Sequence, residues 1–419
     1  MGVRGLSKLI APCGKLITYH SLANNYVAVD AFHRIYKYCS KNIHCEHVND
    51  ADNSYARAII NCITHLTRFG IIPIFIFDGM SLRYKTKNKT PKNLLASGAN
   101  ENMKFSKHEI SKITPSQIKN CEKIINSFGL PCIRSPHEAD SQCAAMTLND
   151  DLNVVAVLTD DTDVLVFGAK AIIKMLPLKI VNTLRNLFAD FIMEFYDKRN
   201  EKKYFSIHEI ATLMRREYLI EQLSYELDVF QQYDIDTLNT FSDQRTIRFA
   251  IKITLHDVID YLNKTAQNII GNDVKISKIT HHDFIDLCIL LGTDYLHRQC
   301  DMSVNKLFEL FVLYDHDIQK IIDLYGMPQS RIDETMSCAL LRQQDSTLQT
   351  CDDSHTEINI IREYYKNASV IDPMNIDITV FTPDYNILDK YMCEIGLDGE
   401  FICDILYKYK KNFNMIIGK

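Results

Sequence analysis

Val154-Val155-Ala156-Val157-Leu158-Thr159-Asp160-Asp161-Thr162-Asp163 places five apolar residues and a threonine before a group of three aspartates. The apolar part is β-branched, too short for a buried helix and without polar alternation. That pattern predicts a parallel strand covered on both faces. Two other runs read the same way, Tyr26-Val27-Ala28-Val29 before Asp30, and Ile72 to Phe77 before Asp78. Apolar residues at helical spacing fill Ser54 to Phe69, stopping at Gly70, and Pro115 to Phe128, stopping at Gly129. Strand, helix, strand, helix implies an α/β fold with a mostly parallel central sheet, helices on its faces and right-handed crossovers.

In such sheets the carboxyl ends of the strands line the ligand crevice. Each acid has an ordinary explanation as a turn residue or helix cap. Three separate strands delivering acids to one edge are harder to explain that way. Ser135-Pro136-His137-Glu138 reads as a capping box, with Ser as cap, Pro at the first helical position and Glu at the third. On that reading Glu138 is structural and Asp140 complements the helix dipole. The functional alternative has the helix start aiming both acids at the crevice. Asp294, in Leu290-Leu291-Gly292-Thr293-Asp294-Tyr295, follows a glycine that ends one helix and reads by itself as the cap of the next.

Clustered carboxylates repel and take up protons unless cations neutralise them. All-oxygen donors suit magnesium, with manganese as substitute, better than zinc. Two such ions ~4 Å apart are a standard arrangement for phosphodiester hydrolysis. No Ser/His/Asp triad, phosphate-binding glycine loop or dinucleotide fingerprint competes.

The composition of the 419 residues, 46% hydrophobic and 24% charged, is that of a globular protein. No apolar stretch is long enough to span a membrane. No secretory signal is visible, and Leu6 rules out a myristoylation start at Gly2. The thirteen cysteines are odd in number, scattered and without C-x-x-C spacing, and His44-Cys45-Glu46-His47 is too tight for a zinc site. Reduced, mostly buried thiols are expected. The net charge of −6 argues against a general nucleic-acid coat but allows a local basic track. One lies between Asp78 and Glu101, where Arg83, Lys85, Lys87, Lys89 and Lys92 occur and no acid does.

Taken together, these residues resemble the XPG/flap endonuclease family of 5′ nucleases. Met1-Gly2-Val3-Arg4-Gly5-Leu6, Val27-Ala28-Val29-Asp30-Ala31, Ile76-Phe77-Asp78-Gly79, Glu138-Ala139-Asp140 with Cys143-Ala144-Ala145, Thr159-Asp160-Asp161-Thr162-Asp163 and Leu290 to Tyr295 match its blocks in order. The resemblance implies that Asp30, Asp78, Glu138 and Asp140 serve a first magnesium and Asp161, Asp163 and Asp294 a second, with Asp160 beside them. It implies DNA contacts at Gly2, Tyr36, Lys85, Lys92, Glu138, Gly292, Asp294 and Lys306, with Tyr36 stacking on a base. Lys85 and Lys92 would be catalytic cations on an arch over the site. It also implies a helix–two-turn–helix-like unit that grips duplex DNA. Asp301-Met302-Ser303-Val304-Asn305-Lys306 lacks that unit's glycines, which leaves potassium binding open.

The expected organisation is a nuclease core over 1–175 with an arch at about 80–115, a helical insertion over 176–276, a nuclease and DNA-binding unit over 277–342, and a helical tail over 343–419. The expected function is 5′ flap cleavage, with 5′-3′ exonuclease activity beside it, in DNA replication, repair or recombination. The expected partner is branched or flapped DNA, met by a monomer. The end, Asn412 to Lys419, carries no sliding-clamp peptide. An Asn-, Ile-, Lys- and Tyr-rich chain without Trp suggests an AT-rich genome such as that of a large DNA virus, with a nuclear location or a cytoplasmic replication site. The rival readings are an RNA nuclease of related sheet architecture and a junction-binding scaffold with a dead site.

Overall fold

The computed structural model describes residues 2–42, 53–80, 113–176, 248–271, 277–298, 300–325 and 354–416. It opens with the short helix α1 (Leu6–Leu9), strand β1 (Lys15–Thr18), β2 (Tyr26–Asp30) and helices α2 (Ala31–Asn42) and α3 (Ser54–Thr67). Then come β3 (Ile72–Phe77), α4 (Pro115–Ser127), β4 (Cys132–Arg134), α5 (Ala139–Leu148), β5 (Val154–Leu158), α6 (Asp163–Val166) and β6 (Ala171–Met175). After β7 (Phe249–Thr254) the described chain is helical: α7 (Leu255–Ile270), α8 (His281–Leu291), α9 (Val304–Leu313), α10 (Ile318–Tyr325), α11 (Ser354–Lys366), α12 (Tyr385–Glu394) and α13 (Gly399–Ile416).

The sheet order is β1-β7-β6-β5-β2-β3-β4. Strands β6, β5, β2, β3 and β4 run parallel, while β7 is antiparallel to both β6 and β1. Successive residues of β3 point to opposite faces, so Ile74 and Ile76 enter one core and Phe75 and Phe77 the other. In β2, Ala28 serves the first core and Val27 and Val29 the second. This two-sided burial is why these strands read as unbroken apolar runs.

The two expected helix stops are present. Gly70 and Gly129 both take positive φ, 70° and 73°, which a side chain strains. The start of α4 is a true capping box, in which Thr114 and Gln117 exchange hydrogen bonds. The expectation of a helical insertion over 176–276 is corrected towards its end. Phe249 to Thr254 is a strand of the main sheet, its alternation disguised by Lys252 and by an antiparallel setting between β1 and β6. The described helices of the C-terminal tail pack on the rest of the fold. Helix α11 packs on α8, tied by an Arg362–Asp286 ion pair at 2.6 Å, and α13 packs on α3.

Cys13, Cys121, Cys143, Cys288 and Cys300 are buried, whereas Cys393 and Cys403 are exposed. Burial pushes the Cys13 and Cys132 thiols up to about 12 and Cys62 to about 11, so they stay protonated at neutral pH. No helix among the described residues is long and apolar enough to cross a membrane.

Candidate active site

The carboxyl ends of β2, β3 and β5 deliver Asp30, Asp78 and the Asp160–Asp163 turn to one edge of the sheet. The acids meet there. Asp30 feels the charges of Asp78 and Asp161, Asp140 those of Asp161, Asp30, Glu138 and Asp163, and Asp163 those of Asp161, Asp294 and Glu138. All seven expected acids therefore form one electrostatic network.

Backbone amides hold several of them. Asp78 Oδ1 accepts from Ala139 N–H at 2.7 Å, at the positive end of α5, and Asp30 Oδ1 accepts from His33 N–H at 2.9 Å. The start of the chain supplies two more. Val3 N–H donates to Asp163 Oδ1 at 2.7 Å, and Gly2 N–H donates to Asp294 Oδ1 at 3.1 Å. Gly2 has φ +89°, and a Cβ there would lie 2.4 Å from Asp161 Oδ1 and 2.9 Å from Asp163 Oδ1. Glycine is the residue that lets the backbone come this near.

Two cap readings are corrected by the structure. Helix α5 begins at Ala139, so Glu138 is itself the N-cap residue, and its side chain makes no capping bond. The three residues before it are pinned to the exit of β3 instead. Ser135 N–H donates to Phe77 O, Gly79 N–H to His137 O, and Met80 N–H to Pro136 O. A Cβ on Gly79 would lie 1.9 Å from Ser135 O, which shows how tightly this crossing is packed. Pro136 cannot begin a helix while held there. Asp294 likewise starts no helix, since the next begins at Val304. Thr293 Oγ1 accepts from the amides of Tyr295 and Leu296, both at 3.1 Å, which closes a turn that presents Asp294 to Gly2.

Freed from a capping role, Glu138 is clamped by tyrosines. Tyr295 donates to Glu138 Oε2, and Tyr364 of α11 donates to the same oxygen at 3.2 Å. Asp160 plays a different part from its neighbours. It is bonded by His33 Nε2 at 3.1 Å and by the Lys37 ammonium. Burial alone would raise Asp160, but these hydrogen bonds and charges outweigh it and hold the carboxyl below the usual range. His33 and Lys37 sit one helical turn apart on α2, a spacing readable in the sequence; Tyr364 had no such signal.

Burial, then the neighbouring acids, pushes Asp30 up to about 6 and raises Asp140 and Asp163 well above ordinary carboxylates. Asp140 Oδ1 is buried with no hydrogen-bond partner among the described residues. Protons or cations must stabilise such a group. Among the described residues no three His, Cys, Asp or Glu side chains close on one point as a finished metal cage. Like charges repel, and Asp30, Asp78, Asp163 and Asp294 each lean on an amide instead of on one another. The donors, all oxygen and carrying excess negative charge, nevertheless fit hard divalent cations.

A pH dependence follows. The folded state raises Asp30 above its ordinary 3.8, so the stability it contributes is full below that value and lost as pH climbs through about 6. Asp140 and Asp163 extend the loss to higher pH, while Asp160, held low, works oppositely only in stronger acid. Melting in chelator should therefore occur at lower temperature at pH 8 than at pH 5. Added magnesium should raise the melting temperature more at pH 8.

The remaining expected contacts are less concentrated. Tyr36 is 37% exposed, with its ring stacked on Phe32. Gly292, φ +92°, closes α8, where a Cβ would lie 2.6 Å from Arg298 N. Lys306 lies in the first turn of α9 and pairs with Glu309 at 3.0 Å. Lys85, Lys92 and the His44–His47 cluster lie outside the described residues.

The XPG N-terminal domain model matches residues 1–95 and the XPG I-region model residues 129–294, together more than half of the chain. The chain belongs to the XPG family. Both matched regions of this XPG-family chain contribute acids to the network. Flap endonuclease 1-B of Oryza sativa subsp. indica is 28% identical over 199 residues, 42% of this chain and 47% of that relative. The match thus spans about half the length of that relative. The catalytic core of Rad2 in complex with DNA substrate has a similar fold, with a TM-score of 0.59 at 18% identity over 97% of this chain and 100% of the other. Flap endonuclease-1 from Methanococcus jannaschii has a TM-score of 0.56 at 16% identity over 97% and 96%.

Proposed function

We propose that this XPG-family chain is a structure-specific DNA endonuclease that cuts 5′ flaps at the single-strand to duplex junction and trims 5′ ends during replication, repair or recombination. The convergence of seven acids from the two family regions carries this reading. The flap endonuclease relatives and the family membership support the choice of DNA.

Asp30, Asp78, Glu138 and Asp140 would hold one magnesium ion and Asp161, Asp163 and Asp294 a second. Ions held there supply Lewis-acid activation of water and neutralise charge gathering at phosphorus. The chain's own groups fix the arrangement. The amides of Gly2, Val3, His33 and Ala139 orient four carboxylates. Tyr295 and Tyr364 orient Glu138, and His33 with Lys37 keeps Asp160 ionised beside the cluster. Tyr36 offers an exposed aromatic face on α2, the helix that follows Asp30, suited to stacking on a base. Monomeric action on branched DNA, in the nucleus or at a cytoplasmic replication site, completes the proposal.

A 5′-labelled DNA flap, incubated with the full chain, tests it. Cleavage at the junction is expected with magnesium or manganese, none in chelator, and less on a matched RNA flap. Equal cleavage in chelator, or a preference for RNA, contradicts the reading.

A further inference from the structure

A cavity shares Lys37 with the edge of the acid cluster, through the Lys37–Asp160 pair. Half-open and of about 1190 Å³, it runs between α2, α3 and α13, past the ends of β5 and β6. Arg34, Lys37, Arg68, Lys408 and Lys411 line it, and among the described residues no Asp or Glu does. At its base Arg34 is only 8% exposed, yet its Nε and Nη2 are buried without a hydrogen-bond partner among the described residues. A buried guanidinium with unused donors calls for an acceptor, and its planar fork matches a phosphate.

The positive charge around it is only partly relieved. Lys408 pairs with Asp404 at 2.5 Å and Lys37 with Asp160. Burial and the Arg68 charge push His20, also in the lining, below its ordinary value, so it stays neutral instead of adding a further cation. At the rim Tyr407 is 74% exposed, a flat aromatic face beside the cations. A buried Arg34, exposed cations at the rim and an aromatic ring beside them suit a nucleotide, its phosphate against the cations and its base on the ring. Through Lys37 the cavity shares a wall with Asp160, next to the acids.

We propose that this cavity is a separate nucleotide-phosphate site, in which Arg34 and Arg68 receive a phosphate and Tyr407 the attached base. The ligand is a nucleotide of a DNA strand or a free nucleotide, and the choice of class rests on the nucleic-acid reading above.

The test is binding of a fluorescent single-stranded DNA oligonucleotide to the full chain, in chelator so that nothing is cut, with dAMP and inorganic phosphate as competitors. Arg68→Glu combined with Lys411→Glu, both exposed rim positions, should weaken binding at least about tenfold and flatten its salt dependence by about one counterion per cation removed. Arg34→Gln should act in the same direction, and if it fails to fold the rim pair still decides. Lys264→Glu, exposed on α7, should leave binding unchanged. Displacement by dAMP in the wild type, lost in the rim variant, identifies a free nucleotide as sufficient; binding of the oligonucleotide alone identifies a strand. Wild-type affinity and salt dependence in both the rim pair and a folded Arg34→Gln overturn the proposal and leave a hydrated structural cavity only. Flap cleavage that persists while the rim variants bind normally sinks the cavity site alone. A wild type that neither binds nor cuts DNA sinks the endonuclease reading, and dAMP binding lost in the rim variant would then still support the cavity.

Discussion

Asp161→Asn is expected to lower flap cleavage about a thousandfold, the scale on which removal of one electrostatic contributor acts at a reacting phosphoryl or acyl centre. The same variant should melt higher than the wild type in chelator. Asp161 is among the neighbouring charges that raise Asp30, Asp140 and Asp163, behind burial itself, so neutralising it relieves three buried carboxyls at once. The fold should be untouched, because the Asn carbonyl can still accept from Asp163 N–H as Asp161 Oδ1 does at 3.1 Å. Opposite signs for activity and stability mark a residue kept for chemistry at the expense of the fold. Thermal melting and single-turnover cleavage on the same preparation measure both, and full activity in the variant would remove Asp161 from the site.

Gly2→Ala should lower cleavage about a hundredfold, the cost that a misplacement of about 1 Å can carry. The added Cβ would meet Asp161 Oδ1 at 2.4 Å and Asp163 Oδ1 at 2.9 Å, on a backbone whose φ of +89° already resists a side chain. Either the two carboxylates turn away or the first turn of the chain lifts, and lifting breaks the Gly2 bond to Asp294 and the Val3 bond to Asp163. Gly399→Ala, where nothing lies within 4 Å of the added carbon, is the matched control and should cleave normally. Kinetics on the flap substrate distinguish the two, and normal cleavage by Gly2→Ala would show that the chain start forms no wall of the site.

The parts of the fold legible in the sequence were those under the strongest burial constraint. Strands β2, β3 and β5 are covered on both faces, and no charge interrupts them before the terminal Asp30 of β2. The other four strands lack that clarity. Strand β4 is three residues long, and Lys15, Lys174 and Lys252 break the apolar pattern of β1, β6 and β7. Asp30, Asp78 and the Asp160–Asp163 group were legible because each follows a strand, and Asp294 because it follows a helix stop. How they are held was not. Glu138 was ambiguous because Pro136 favours a helix start locally, whereas backbone bonds to residues 77 to 80 forbid one. Its partner Tyr364 lies 226 residues away, on a helix that docks through buried Ile358, Ile361 and Tyr365 and the Arg362–Asp286 pair. No spacing rule links residues brought together by such a contact.

Counting bound manganese by electron paramagnetic resonance tests directly whether these acids act as donors to divalent cations. Two ions per chain are expected for the wild type, with one site lost or sharply weakened in Asp161→Asn and in Asp78→Asn. A wild type that binds no manganese above background, or variants that bind two ions as tightly as the wild type, would contradict that role.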